Sequence, residues 1–105
     1  MASNGSSGDT VINNINKALN EYKRAHPNAQ HEIRRYNSVS VRVRIIDPDF
    51  ANLDRVDRSE EVWKYLDTLS DEILSDLSAL ILITPDETKT SLANIEFEDP
   101  TPLHL

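Results

Sequence analysis

The sequence predicts an α+β fold in which a three-stranded mixed sheet has helices packed on one face, in the order αββααβ. First, residues 39–46 alternate between aliphatic and mostly polar side chains, which is typical of a strand with one buried face. Second, an aliphatic run at 79–84 follows two helical segments, and such a strand can pair in parallel with an earlier one through a crossover. Third, the length of 105 residues allows one domain and little more.

The domain organisation follows from composition. Residues 1–8 are small and polar and include both glycines, so we expect a flexible N-terminal segment there, before a single domain over 9–93. An acidic C-terminal tail is expected over 94–105. The net charge of −7 is unevenly distributed, since residues 1–44 carry a net +4 and residues 45–105 a net −11. A split of this kind can mark a partner-binding surface.

The first half of the chain is predicted to form a helix and a β-hairpin. An apolar stripe at intervals of three and four residues indicates a helix over 9–25, with Asp9 as its N-cap and Pro27 ending it. A weaker strand is expected over 29–36 and a stronger one over 39–47, joined by a short turn. The helical stripe consists of Ile12, Ile15, Leu19 and Tyr22.

The second half is predicted to contain the remaining helices and the last strand. A main helix is expected from Asp57 or Ser59 to residue 69, with Asp57 and Glu60 as a capping box. A second short helix follows it directly. After the aliphatic strand, Thr84 is placed to cap a further helical turn, because proline follows it and glutamate comes three residues later.

The acidic tail has its own pattern. Ile95 and Phe97 alternate with glutamates, which indicates a short edge strand or a segment docked on the domain. If helices cover only one sheet face, half of the aliphatic strand at 79–84 faces outward, and an exposed apolar patch usually meets a partner. The partner can be a second copy, another protein, or the chain's own tail.

Several short motifs lie in a defined order along the middle of the chain. The strand and the turn that ends it read Val-Arg-Ile-Ile-Asp-Pro-Asp-Phe at 43–50, and Arg-Val-Asp-Arg at 55–58 opens the main helix, with Val-Trp at 62–63. Ala-Leu at 79–80 begins the last strand, and Thr-Pro-Asp-Glu at 84–87 follows it. In these motifs the chain resembles the BolA-like family over roughly residues 9–88. The resemblance implies a KH-like αββααβ fold.

The resemblance also implies sites that this sequence lacks. BolA-like proteins partner monothiol glutaredoxins and share an iron–sulfur cluster, through a histidine before Ala-Leu and a cysteine or histidine between the first two strands. Here those positions are Ser78 and the Asn37-Ser38 turn, and the helix-opening histidine is Ser59. Serine is a poor iron ligand beside imidazole or thiolate, so we expect no metal site and no cofactor. The family's DNA-binding segment is weakened as well, since two glutamates follow Arg58 and Ser59.

Arginines and a tyrosine are predicted to share the sheet face that the helices leave open, because strand side chains alternate between faces. The candidate partner-binding residues are these four, Arg34, Tyr36, Arg42 and Arg44, which we call the arginine face, together with Arg55 and Arg58 at the helix start. The arginine face can pair with the chain's own acids, bind an acidic protein segment, or bind single-stranded nucleic acid. The net negative charge and the absence of a Gly-x-x-Gly loop disfavour nucleic acid.

Catalytic and metal chemistry find little support in the sequence. The carboxylates of the loop after the second strand suit turns and helix caps better than a Ca²⁺ loop, which needs a glycine. The three histidines lie at no metal-ligand spacing, and no glycine-rich phosphate loop or nucleophile elbow is present. The loop carboxylates are Asp47, Asp49, Asp54 and Asp57, and the histidines are His26, His31 and His104.

These observations predict a non-enzymatic regulatory or protein-interaction domain with no catalytic, cofactor-binding or metal-binding residues. The alternative is a nucleic-acid-binding regulator that uses the arginine face. The expected partner is another protein or a second copy of the chain, and a membrane is not expected because no apolar run approaches the roughly 18 residues of a span. A cytoplasmic location is expected.

Overall fold

The structure, a computed structural model, describes residues 9–100, so the predicted segment 1–8, His104 and the end of the tail lie outside the described residues. It is an α+β fold with a three-stranded mixed sheet, which confirms the predicted fold class. The elements are α1 (Thr10–Ala25), β1 (Gln30–Asn37), β2 (Ser40–Ile46), α2 (Arg55–Leu66), α3 (Asp71–Leu74), β3 (Leu77–Ile83) and α4 (Leu92–Glu98), with 3-10 turns at Pro48–Asn52 and Pro85–Thr88.

The sheet has the order β1-β2-β3. β1 and β2 form the predicted antiparallel hairpin, and β3 pairs with β2 in parallel after the crossover through α2 and α3. In this register Val43 lies between Ile33 of β1 and Leu80 of β3. Arg44 lies between Glu32 and Ile81, so the alternation along β2 assigns its aliphatic and charged residues to opposite faces.

One sheet face, which we call the helix face, packs against α1 and α2 and forms the main core. Val41, Val43 and Ile45 of β2 are completely buried there. The apolar stripe of α1 is buried against them, as its spacing predicts, and Asp9 caps the helix by accepting from the amide of Ile12 at 3.0 Å. The other fully buried members of this core include Ile15, Leu19, Phe50, Val62 and Leu66.

The start of α2 differs from the prediction. Its N-cap is Asp54, whose side chain accepts from the amide of Asp57 at 2.9 Å, so the predicted capping box at Asp57 and Glu60 is wrong. Both aspartates suit a helix start. Because the 3-10 turn Pro48–Asn52 precedes it, α2 begins about one turn earlier than the apolar stripe alone indicates. Arg55 and Arg58 therefore both lie in the first turns of α2.

The tail also differs from the edge-strand prediction, because residues 92–98 form a helix. Ser91 caps it by accepting from the amide of Asn94 at 3.1 Å. Asn94 and Phe97, three residues apart, are buried on one side of the helix, whereas Leu92 is 82% exposed. The helix forms because this spacing puts both buried side chains on the same side, against the sheet. It crosses the predicted domain boundary at residue 93.

No helix within residues 9–100 is both long enough and apolar enough to cross a bilayer.

Candidate functional site

The arginine face lies opposite the helix face and is covered in part by α4. Arg34 is paired with Arg42 across the hairpin, and Arg44 follows on the same side of β2. The expectation that this face is open is wrong, because Phe97 of α4 is 99% buried against it. The tail supplies an aromatic ring for a face whose own apolar residues, Ile81 and Ile83 of β3, would otherwise be exposed.

Two arginines hold the ring and the end of α4. The guanidinium carbons of Arg34 and Arg44 lie 4.5 and 4.8 Å from the centroid of Phe97, within the range of a cation–π contact. Arg34 also donates to the carbonyl oxygen of Phe97 at 2.6 Å, one of the carbonyls that a helix end leaves without a partner. Phe97 is therefore held through its ring and its backbone together.

Carboxylates complete the contact on both sides of Arg44. Its guanidinium donates to the carboxylates of Glu32 of β1, at 2.9 Å, and of Glu98 of α4. It also donates to the side-chain oxygen of Asn94 at 2.9 Å. Hydrogen bonding to Arg44 lowers the pKa of Glu98 from its ordinary value, with a smaller contribution from Arg34. The charges of the arginine face are thus neutralised within the molecule, by β1 and by α4.

The remaining pair of the arginine face lies beside α4. Arg42 stacks over the ring of Tyr36, with 3.7 Å between its guanidinium carbon and the ring centroid. A carboxylate oxygen of Glu96 of α4 lies 3.9 Å from a guanidinium nitrogen of Arg42. An open cavity of 350 Å³ is lined here by Tyr36, Arg42 and the side of α4. Tyr36 is 39% exposed, so this end of the face stays accessible when α4 is docked.

Arg58 has a structural role within the domain. It forms a two-pronged ion pair with Glu87, at 2.8 and 3.1 Å, and donates to the carbonyl oxygens of Leu53 and Leu82 at 3.0 Å. These contacts tie the start of α2 to the end of β3 and to the turn after it. Arg58, with the amide of Thr84, lowers the pKa of Glu87 to about 2.

Arg55 differs from Arg58, although the sequence groups them. Its side chain is exposed and forms no hydrogen bond or ion pair within residues 9–100. It lines a cavity of 350 Å³ together with Trp63 of α2, residues of β3 and the start of α4. The sequence therefore predicts two equivalent cations. In the fold, Arg58 is paired with Glu87, whereas Arg55 lies at a groove without an ion pair among the described residues.

A cluster that sequence reasoning missed lies where α1 ends beside the turn after β2. Nδ1 of His26 is 2.8 Å from Asp49 and 3.6 Å from Asp47. Asp47 is completely buried and accepts from the hydroxyl of Tyr22 at 2.6 Å and from the amide of Asp49 at 2.9 Å. The three acid and imidazole side chains offer ligand atoms within 4.8 Å of one another, which their separation along the chain conceals.

Hydrogen bonds within this cluster account for its arrangement. Burial, and then the hydrogen bond to Asp47, raise the pKa of Tyr22 well above its usual range, so the hydroxyl stays a donor. The rings of Tyr22 and His26 stack with their centroids 4.3 Å apart. The expectation of no metal site stays a prediction.

The positions that the family resemblance singles out carry ordinary polar contacts. The hydroxyl of Ser78 donates to the carbonyl oxygen of Val41 at 3.3 Å, across the β2–β3 pair. Asn37 accepts from the amide of Val39 and so forms the hairpin turn. Both are explained by local structure.

In comparisons with known proteins, no protein-family model matches this chain and no curated protein matches it. The resemblance to the BolA-like family therefore stays a prediction that rests on the motifs given above.

Proposed function

We propose that this chain is a non-enzymatic protein-interaction domain whose arginine face binds a short acidic segment with an aromatic residue. The observation that carries the proposal is the position of Phe97, whose ring lies against Arg34 and Arg44 with Glu98 beside them. In this view α4 is an internal ligand. Its sequence, a phenylalanine flanked by two glutamates, describes the chemistry that the face recognises.

The way in which α4 is held supports an exchangeable contact. A helix of only seven residues has little stability of its own, so α4 depends on docking. Its buried contact with the sheet centres on one ring and on ion pairs in which Glu98 is 50% exposed. Elements with few buried contacts open at a lower free energy than the core, which gives an external segment access to the face.

The alternative is a nucleic-acid-binding regulator that uses the same arginines. A phosphate backbone carries a charge at every nucleotide, so the net charge of −7 disfavours it more than a short segment with few carboxylates. The alternative is kept as one outcome of the experiment below.

Family membership is a further part of the proposal. Arg58 and Glu87 belong to two separate motifs of the BolA-like resemblance, and their ion pair gives both motifs a common structural reason. The absence of the family's ligand residues at Ser78 and in the Asn37-Ser38 turn favours a member without a metal site. A cytoplasmic location, and self-association as the alternative to another protein as partner, stay within the proposal.

The test uses the full chain and a labelled peptide that copies residues 91–100. Phe97→Ala releases α4 from the face, and we expect the peptide to bind this variant at least about tenfold more tightly than the wild type. Leu92→Ala is the matched control, because it changes an exposed side chain of the same helix. Fluorescence anisotropy gives the affinities, and amide chemical shifts of β2 verify that each variant stays folded.

The outcomes separate the two functions. A peptide carrying alanine in place of its phenylalanine should lose binding to the Phe97→Ala chain. If the variant binds a single-stranded oligonucleotide and not the peptide, with a steep dependence on salt, the alternative is correct. If it binds neither, the arginine face has no role in recognition and the proposal fails.

A further inference from the structure

Within residues 9–100, β3 is an edge strand with backbone groups that point away from the sheet. In a parallel pair, alternate residues direct both of their backbone groups at the neighbouring strand. The carbonyl oxygen of Ile83 accepts from the amide of Asp47, so Ile83 faces β2. Leu80 and Leu82 belong to the other set of alternate residues, whose amides and carbonyls point away from β2. The hydrogen bond from Arg58 to the carbonyl oxygen of Leu82 agrees with this direction. The backbone amide and carbonyl of Leu80 and the amide of Leu82 form an edge with which a further strand can pair.

This edge forms the floor of a groove, which we call the β3-edge groove. One wall is α2, where Arg55, Ser59 and Trp63 recur at intervals of four residues and so lie on one side of the helix. The start of α4 forms the other wall through Ser91 and Ala93. The groove has a volume of 350 Å³ and adjoins the cavity beside Tyr36, with which it shares Ile81 and Ala93.

The charge at the mouth of the groove distinguishes it from the rest of the surface. Among the arginines of residues 9–100, Arg55 is the one without an ion pair. In a chain of net charge −7, an arginine left without a carboxylate beside an apolar groove favours an anionic ligand group.

We propose that the β3-edge groove binds an extended peptide as a fourth strand, with a carboxylate of the peptide on Arg55. The peptide's backbone pairs with Leu80 and Leu82, an alternate side chain packs on Trp63, and the carboxylate sets the register. This is recognition by strand addition, in which main-chain hydrogen bonds supply affinity and side-chain contacts supply specificity. It uses Arg55 and the edge of β3 rather than the arginine face, and it requires α4 to stay docked, because the start of α4 forms one wall of the groove.

A second copy of the chain fits the groove less well. β3 itself contains no acidic residue over Leu77–Ile83, so pairing through two β3 strands supplies no carboxylate for Arg55 from the added strand. Single-stranded nucleic acid lacks the regularly spaced amide donors that the outward carbonyl oxygen of Leu80 requires. Both occupants remain outcomes of the test.

The experiment uses the fluorescence of Trp63, the single tryptophan of the chain. The probe is a pool of acetylated, amidated pentapeptides that alternate valine and threonine and carry glutamate at either end. We expect saturable changes in the emission of the full-length wild type. Arg55→Ser should weaken binding about tenfold, the usual scale for a hydrogen bond to a charged group. Arg24→Ser is the matched control, because it removes an equal charge from an exposed site on α1.

Each outcome decides the proposal. Binding that is lost when the peptide amides are N-methylated, and weakened by Arg55→Ser but not by Arg24→Ser, supports strand addition at this groove. Binding insensitive to Arg55→Ser or to N-methylation overturns it, as does no binding by the pool. A dimer in sedimentation that buries Trp63, or equal binding of a ten-nucleotide thymidine oligomer, also overturns it, in favour of self-association or nucleic acid.

Discussion

The two faces of the sheet use the same strand in different ways. On the helix face, the aliphatic residues of β2 are completely buried against α1 and α2. On the arginine face, the alternate residues of β2 are charged and hold a single aromatic ring with the aid of carboxylates. The helix face is covered by a 16-residue helix and a 12-residue helix, and the arginine face by a helix of seven residues.

The difference indicates which face maintains the fold and which can exchange partners. Apolar burial is not screened by salt, and it contributes over the whole helix face. Ion pairs with half-exposed carboxylates are weakened by salt and by acid, so the cover of the arginine face is conditional. Three predictions test this division, from the largest expected effect to the smallest.

The strongest test compares two neighbouring isoleucines of β2. Ile45 is completely buried on the helix face, so Ile45→Ala should lower the free energy of unfolding by about 3 kcal/mol, as for other large-to-small core substitutions. Ile46 is half-buried on the opposite face beside Phe97, so Ile46→Ala should cost only about 1 kcal/mol. Urea denaturation followed by Trp63 fluorescence measures both. Equal costs would show that the two faces contribute alike to stability.

The second prediction concerns the polar group at the margin of the helix face. Tyr22→Phe removes the hydroxyl that donates to the buried carboxylate of Asp47, and a buried acceptor without its donor should cost about 2 kcal/mol. Tyr36→Phe is the control, because this side chain is exposed and the same hydroxyl is removed. Thermal unfolding of the two variants gives the difference. If Tyr22→Phe left the thermal stability unchanged, the carboxylate of Asp47 would not need the hydrogen bond from Tyr22.

The third prediction concerns the cover of the arginine face. The pKa of Glu98 is lowered by Arg44, so its stabilising contribution is complete above the ordinary value of 4.5 and is lost as the pH falls through the lower value in the folded state. Below pH 4.5, amide chemical shifts of α4 should therefore move towards those of an undocked segment before those of β2 change. In Glu98→Gln the same shift should depend less on pH, while Asp86→Asn, outside this contact, should behave as the wild type. If α4 and β2 titrate together, α4 is part of the main cooperative unit.

Local patterns in the sequence predict most of the individual elements. The stripe of α1, its cap at Asp9, the alternation along β2 and the parallel strand β3 are all found where the spacing indicates. Each of these depends on side chains close together in sequence, whose period fixes the exposed and buried sides. The error at α2 has the same local origin, because two aspartates three residues apart both suit a helix cap and only the path of the preceding turn selects Asp54.

The candidate sites depend on contacts between distant residues, and there the sequence is less informative. It predicts that Arg34, Tyr36, Arg42 and Arg44 share a face, but Phe97 follows the last of them by more than 50 residues. The different roles of Arg55 and Arg58 depend on Glu87 and on the edge of β3, which no local pattern encodes. The cluster of Tyr22, His26, Asp47 and Asp49 is assembled in the same way.

The sequence by itself determined the α+β class and the order of the elements along the chain. It also determined the opposite character of the two sides of β2, because side-chain alternation is a property of the strand alone. Only the tertiary structure decided that the chain's own α4 covers part of the arginine face and that Arg55 has no carboxylate partner among residues 9–100. The physical reason is that pairing of charges and burial of Phe97 are long-range events. They depend on which surfaces meet once the sheet and its helices have packed, and not on the spacing of residues within any one element.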